Sequence, residues 1–164
     1  MNLAGTGFEI RPAERPDAAE IAAVLRRSIT ELCGADHNND PKRLASWLRN
    51  KTEETALGWI DGPGSVLVAD SPENHPRLLG VGMGLPEGEI VLNYVDPGAR
   101  YQGVSKALMR ALECYFIKIG VTRVRLRSTF TAERFYRSMG YVQSDIPIDP
   151  ADRASAIFEK DLHP

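Results

Sequence analysis

Apolar and polar positions along the chain follow two rhythms, and the change comes near residue 62. Residues 8–11 alternate and predict a short first strand. Asp17 and Glu20 stand at capping-box spacing behind Pro16. Ile21, Val24, Leu25, Ile29 and Leu32 then recur at helical spacing, which predicts an amphipathic helix ending near Gly34. Asp40 and Pro41 predict a second helix start, with Asp40 as N-cap, and Leu44, Trp47 and Leu48 form its inner face. A further short helix is predicted over residues 52–60.

Beyond Gly62-Pro63-Gly64 the rhythm becomes that of strands. Residues 65–70, 77–85 and 89–95 are apolar runs of strand length, and their short connections predict consecutive antiparallel pairs. Val104, Leu108, Leu112, Tyr115, Phe116 and Ile119 mark a long helix closed by Gly120. Residues 121–127 alternate apolar and basic side chains, as a strand does. A short helix over 131–139 stops at Gly140, and two last strands are predicted at 141–142 and 154–160. This mixed order predicts one domain over residues 1–164, of α/β (α+β) class.

Bulk properties narrow the partners. The 164 residues suit one full-sized core, and 43% apolar with 26% charged residues is ordinary for a globular chain. A net charge of −2 gives no electrostatic case for nucleic acid. No apolar run approaches the roughly 18 residues that span a membrane. Residues 1–7 lack the regions of a signal peptide. Two cysteines, Cys33 and Cys114, make no disulfide framework, and no metal-ligand spacing occurs. The expectation is a cytoplasmic protein without a metal.

Gly80, Gly82 and Gly84 could suggest a dinucleotide fingerprint, but Pro86 and Gly88 follow instead of a helix. Alternate glycines share one face of a strand, so a helix packed closely on that bare face is the better reading.

The segment from Val95 to Lys106 joins a strand to the long helix. Helix N-termini carry unpaired N–H groups and about half a positive charge. Gly103 lets backbone approach a ligand, Arg100 and Lys106 add cations, and Ser105 adds a hydroxyl. On these features alone, a phosphate site and an ordinary helix start are equally open.

Arg100-x-x-Gly103-x-Ser105, after Val95-x-Pro97, resembles the pyrophosphate signature of the GCN5-related N-acetyltransferases. Residues 129–141 resemble a second segment of that family, with Ala132, Tyr136, Gly140 and Tyr141 in register and Thr129 where Asn is usual. The resemblance spans roughly residues 79–142, and the N-terminal helices match only in layout. It implies a mixed sheet of six to seven strands flanked by helices and splayed between the fourth and fifth. It implies acetyl-CoA as cosubstrate, held by Arg100, Tyr101, Gln102, Gly103, Val104, Ser105 and Lys106 of the turn. Tyr94 and Val95 would offer backbone to the pantetheine arm, and Val95 N–H would polarise the thioester. Thr129, Ala132 and Phe135 would complete the cofactor site.

The same resemblance makes Tyr136 the acid for the departing thiolate, and a phenol has suitable chemistry. Glu89 matches the position of a general base in one branch of the family, and a solvated turn residue is the alternative. Asp36 and His37 fall in the loop that walls the acceptor site. Arg123, Arg125 and Arg127 share one strand face, read first as solvated and second as a contact for the adenosine 3′-phosphate. The implied activity is N-acetylation of a small-molecule or peptide amine by direct attack in a ternary complex. Ser105 and Thr129 depart from the usual pattern. They leave open an acetyl-CoA-binding sensor or scaffold, or an O-acyl or longer-chain transferase. The edge of the C-terminal strands allows a homodimer.

Overall fold

The computed structural model describes residues 7–163. Seven strands form one sheet in the order β1-β2-β3-β4-β5-β7-β6. They are β1 (Glu9–Pro12), β2 (Ser65–Asp70), β3 (Leu78–Leu85), β4 (Glu89–Val95), β5 (Arg123–Ser128), β6 (Val142–Gln143) and β7 (Ala156–Asp161). All neighbours pair antiparallel except β4 and β5, which run parallel. The helices are α1 (Ala18–Leu32), α2 (Gly34–His37), α3 (Pro41–Leu48), α4 (Glu53–Ile60), α5 (Val104–Lys118) and α6 (Glu133–Ser138). The mixed, helix-flanked sheet is the architecture that the family resemblance implies, and it fits the α/β (α+β) class expected from the element order. Among the described residues, no helix is long and apolar enough to cross a membrane.

Two apolar layers cover the two faces of the sheet. On one, Ile21, Val24 and Leu25 of α1 and Ala56 of α4 pack on Val66, Val68, Val81 and Leu92. On the other, Leu108, Leu112 and Phe116 of α5 pack with Leu126, Phe158 and Tyr136. The glycines of β3 explain how α5 sits. A Cβ on Gly80 would lie 2.8 Å from Val104 Cγ1, one on Gly82 3.2 Å from Leu112 Cδ1, and one on Gly84 2.6 Å from Phe116 Cζ. The bare face is therefore the seat of one helical stripe, as the sequence pattern indicates.

Local signals place most helix ends. Asp40 accepts a bond from Lys42 N–H and caps α3, and Thr52 accepts one from Thr55 N–H and caps α4. The predicted start of α1 needs correction. Asp17 does not cap it but accepts from Glu14 N–H at 2.8 Å and from both Arg11 Nη atoms. Glu20 accepts from Leu78 N–H at 2.9 Å, tying α1 to β3. The spacing was right for a capping box, but nearby cations and an unpaired strand amide compete more strongly for these carboxylates.

Asp70, 2% exposed at the end of β2, accepts from Arg11 Nε at 2.5 Å and from Arg77 Nε at 2.8 Å. Bonds from Arg77 hold its carboxyl below the usual value of 3.8, and bonds from Arg11 do the same for Asp17. Depressed carboxylates contribute stability that is present above their unfolded pKa and lost as pH falls through the folded one. The thermal midpoint should therefore be level from neutral pH to about pH 5 and fall below about pH 4. In Asp70→Asn, thermal scans should show a lower midpoint at neutral pH and a shallower acid decline.

Candidate active site

β4 is paired along its whole length with β3 but with β5 only at Glu89 and Ile90. The reason is local. Register against β3 shifts between Met83 and Gly84, so Val91 is an extra residue, a β-bulge. Beyond it β4 and β5 diverge and a cleft of about 840 Å³ opens between them. Antiparallel pairs alternate in the direction of their main-chain groups. Asp96 N–H donates to Leu79 C=O. Two residues earlier, Tyr94 must therefore face Val81, leaving the N–H and C=O of Asn93 and Val95 aimed into the cleft. This corrects the expectation for Tyr94, whose backbone is used inside the sheet and whose side chain lines the cleft instead.

The cleft ends at the turn before α5. Asp96 caps the short 3-10 turn Pro97–Ala99 through Gly98 N–H, and its carboxylate pairs with Arg27 Nε of α1 at 2.7 Å. Tyr101 (φ 65°) and Gly103 (φ 82°) then turn the chain into the helix. Glycine is suited to residue 103 for conformation, because a Cβ there would meet no protein atom within 4 Å. The first helical bond runs from Ala107 N–H to Gly103 C=O. The amides of Val104, Ser105 and Lys106 precede it and form the positive end of a 15-residue helix. Arg100 lies over the Tyr101 ring, 4.6 Å from its centre.

Tyr136 enters from α6. It is 7% exposed and wedged among Phe135, Tyr141 and Phe158. Asn93 Nδ2 donates to its phenol oxygen at 3.3 Å, and Ser105 Oγ donates to Asn93 Oδ1 at 2.9 Å. A polar chain thus runs from the helix start through β4 to the phenol. Asn93 gives one of its two Nδ2 hydrogens to the phenol oxygen, so the phenol hydrogen points away from Asn93. Burial pushes this phenol above its usual 10, while the bond from Asn93 acts in the opposite sense.

Among the expected cofactor residues, the cleft wall includes Val95, Arg100, Tyr101, Gly103, Val104, Ser105, Lys106, Thr129, Ala132 and Phe135. Gln102 is not in that wall; its side chain turns back to Gly98 C=O at 3.1 Å. The hydroxyl of Ser105 goes to Asn93, so the residue that departs from the family signature is held by its own partner. The acceptor residues need larger corrections. His37 is 2% exposed, bonded through Nε2 to Ile29 C=O and through Nδ1 to Asn39 N–H, so it is a core residue. Asp36 gives one oxygen to Thr131 N–H and the other to Thr131 Oγ1, bridging α2 to the turn before α6. Glu89 lies outside the cleft wall, in a smaller pocket of about 260 Å³, 3.6 Å from Arg125.

The sequence reading missed Asn93, gave no place in the site to Cys33 and read Arg127 first as part of a solvated face, and all three line the cleft. A lone amide inside the apolar run of β4 was the available sign of Asn93. Burial pushes the Cys33 thiol up to about 12, so it is no thiolate at neutral pH.

Comparison with known proteins agrees with this geometry. No curated protein matches the chain. A GCN5-related N-acetyltransferase from Rhodopseudomonas palustris superposes with a TM-score of 0.80 at 23% identity, covering 94% of this chain and 96% of its own. PaiA N-acetyltransferase from Thermoplasma acidophilum, solved in complex with coenzyme A, gives 0.76 at 22% identity over 94% and 98%. An N-acetyltransferase from Staphylococcus aureus gives 0.66 at 16% over 95% and 99%. These likenesses show the fold. Residues 64–149, more than half of the sequence, match the family description "Acetyltransferase (GNAT) domain", and the chain belongs to that acetyltransferase family.

Proposed function

We propose that this chain transfers an acetyl group from acetyl-CoA to an amine by direct attack in a ternary complex. The observation that carries this reading is the open edge of β4, which leads from the turn before α5 to the phenol of Tyr136. The pantetheine arm supplies amides to the outward groups of Asn93 and Val95, as an added strand would. The pyrophosphate sits on the amides of residues 104–106, with Arg100 and Lys106 beside it. PaiA N-acetyltransferase, a protein of the same fold, was solved in complex with coenzyme A, which supports coenzyme A as the kind of ligand.

The amine nitrogen attacks the thioester carbon while an outward N–H of β4 polarises the oxygen. The C–N bond forms, the C–S bond breaks, and the thiolate takes the Tyr136 proton. The new amide nitrogen loses a proton to solvent, and solvent restores the phenol. Among the described residues the cleft wall holds neither a carboxylate nor an imidazole. The amine therefore enters as the free base, and Glu89 has no part in the reading.

Calorimetric titration with acetyl-CoA tests this reading. Saturable 1:1 binding is expected, and Arg100→Ala should raise Kd by about tenfold, the value of a charge-assisted phosphate contact. Absence of binding to the unmodified protein would overturn the reading.

A further inference from the structure

We infer that the acceptor amine carries a carboxylate and that Arg127 is the residue that selects it; this rests on the acetyltransferase reading above. Every charged side chain in the cleft wall is a cation: Arg100, Lys106, Arg127 and Arg134. Arg100 and Lys106 flank the helix start. Arg127 stands elsewhere. On β5, Val124, Leu126 and Ser128 are buried, and Val124 and Leu126 belong to the core layer under α5. Strand alternation turns Arg127 to the opposite face, the side of α1. It is therefore not placed for the phosphates. Leu126 is the last residue of β5 that pairs with β4, so Arg127 emerges at the apex of the splay.

Arg127 also lines the second pocket, where Ile146, Pro147 and Ile148 form an apolar wall. It is the side chain shared by the two cavities. Its ion partner is Asp152, whose Oδ2 lies 3.6 Å from Arg127 Nε, beyond hydrogen-bond length. The Arg127 side chain is 60% exposed. A ligand carboxylate can take the guanidinium fork in two parallel bonds that Asp152 does not make. The other carboxylates of this pocket are Glu89, 3.6 Å from Arg125, and Asp149, which accepts from Ala151 N–H. A bare ammonium would face the charge of Arg127, which Asp152 offsets only at 3.6 Å. An amine tethered to a carboxylate cancels that charge. Before pairing, the nearby cation also favours the neutral amine that attack requires.

Matched acceptors test the assignment: leucine against 3-methylbutylamine, and phenylalanine against 2-phenylethylamine, read by release of free CoA. The acids should exceed their decarboxylated partners in kcat/KM by about tenfold or more, the scale of one charge-assisted pair. Arg127→Gln should erase that preference through KM, keep kcat within about threefold, and leave the calorimetric Kd for acetyl-CoA unchanged. Arg127→Lys should recover part of the preference. Asp152→Asn removes the competing carboxylate and should lower KM for the acids, an effect that loss of structure cannot imitate. Equal or better turnover of the decarboxylated amines overturns the inference, as does turnover of neither set while acetyl-CoA still binds. Failure of acetyl-CoA to bind strikes the acetyltransferase reading instead, so the two failures are separable.

Discussion

Replacing Tyr136 by Phe should lower kcat by about two orders of magnitude and change the Kd for acetyl-CoA by less than about twofold. The substitution keeps the ring, and with it the contacts to Phe135, Tyr141 and Phe158. On the proposed mechanism it removes the proton that neutralises the departing thiolate. Burial raises the phenol above 10, which makes it a weaker acid, but the thiolate in the same cleft is desolvated too and becomes more basic. Asn93 Nδ2 donates to the oxygen and eases development of negative charge there. The pH dependence follows from the direction of the shift. A raised phenol stays protonated across the working range, so the wild-type rate should climb with deprotonation of the amine and show no descending limb below about pH 10. Steady-state kinetics across pH on both proteins measure this. Turnover of the Phe variant within twofold of wild type would assign proton delivery to solvent.

The second large effect is structural. Gly80→Val should destabilise the protein by about 3 kcal/mol, near the upper end for overpacking, and lower Tm by roughly 6–12 °C. Strand propensity works the other way, since Val is preferred to Gly in strands by at most about 1 kcal/mol. The clash wins because one obstacle is backbone. The new Cβ would lie 2.9 Å from Tyr94 C=O as well as 2.8 Å from Val104 Cγ1 and 3.1 Å from Leu108 Cδ1. Side chains can give way, but the carbonyl is fixed in the β3–β4 ladder. Gly103→Ala is the control, with open space around its Cβ and only the φ of 82° against it. It should cost about 1 kcal/mol. Circular-dichroism melts decide between them. A Gly80→Val midpoint within 2 °C of wild type would mean that α5 does not rest on β3 as described.

These two sites show how far the sequence could be read. Periodicity located β2, β3, β4 and α5 to within a residue because each buries a face whose spacing is written in its apolar residues. The glycine stripe was legible for the same reason. The turn before α5 was legible through a short signature, since a left-handed residue and a helix start demand particular chemistry. Asp36, His37 and Glu89 were assigned from position alone, and position says nothing about which side chain is already taken. His37 is spent on Ile29 and Asn39, Asp36 on Thr131, and Glu89 lies across from Arg125. Arg127 shows the converse. Its alternation with Val124 and Leu126 was correctly read as an outward face, but the face opens at the apex of the splay. Only the divergence of β4 and β5 makes that evident, and this depends on one extra residue, Val91, in a register that sequence does not display.

That extra residue has a consequence for the life of the protein in a cell. Beyond Val91 the sheet lacks its β4–β5 rungs, so β4 presents a row of backbone groups to the cleft instead of to a neighbouring strand. A ligand that fills the row binds the folded chain and not the unfolded one, and adds its binding energy to folding stability. The amount of intact protein should then follow the supply of that ligand, because chaperones and proteases act on whatever opens. A variant weakened far from the cleft would survive in cells rich in the ligand and be cleared in cells that lack it.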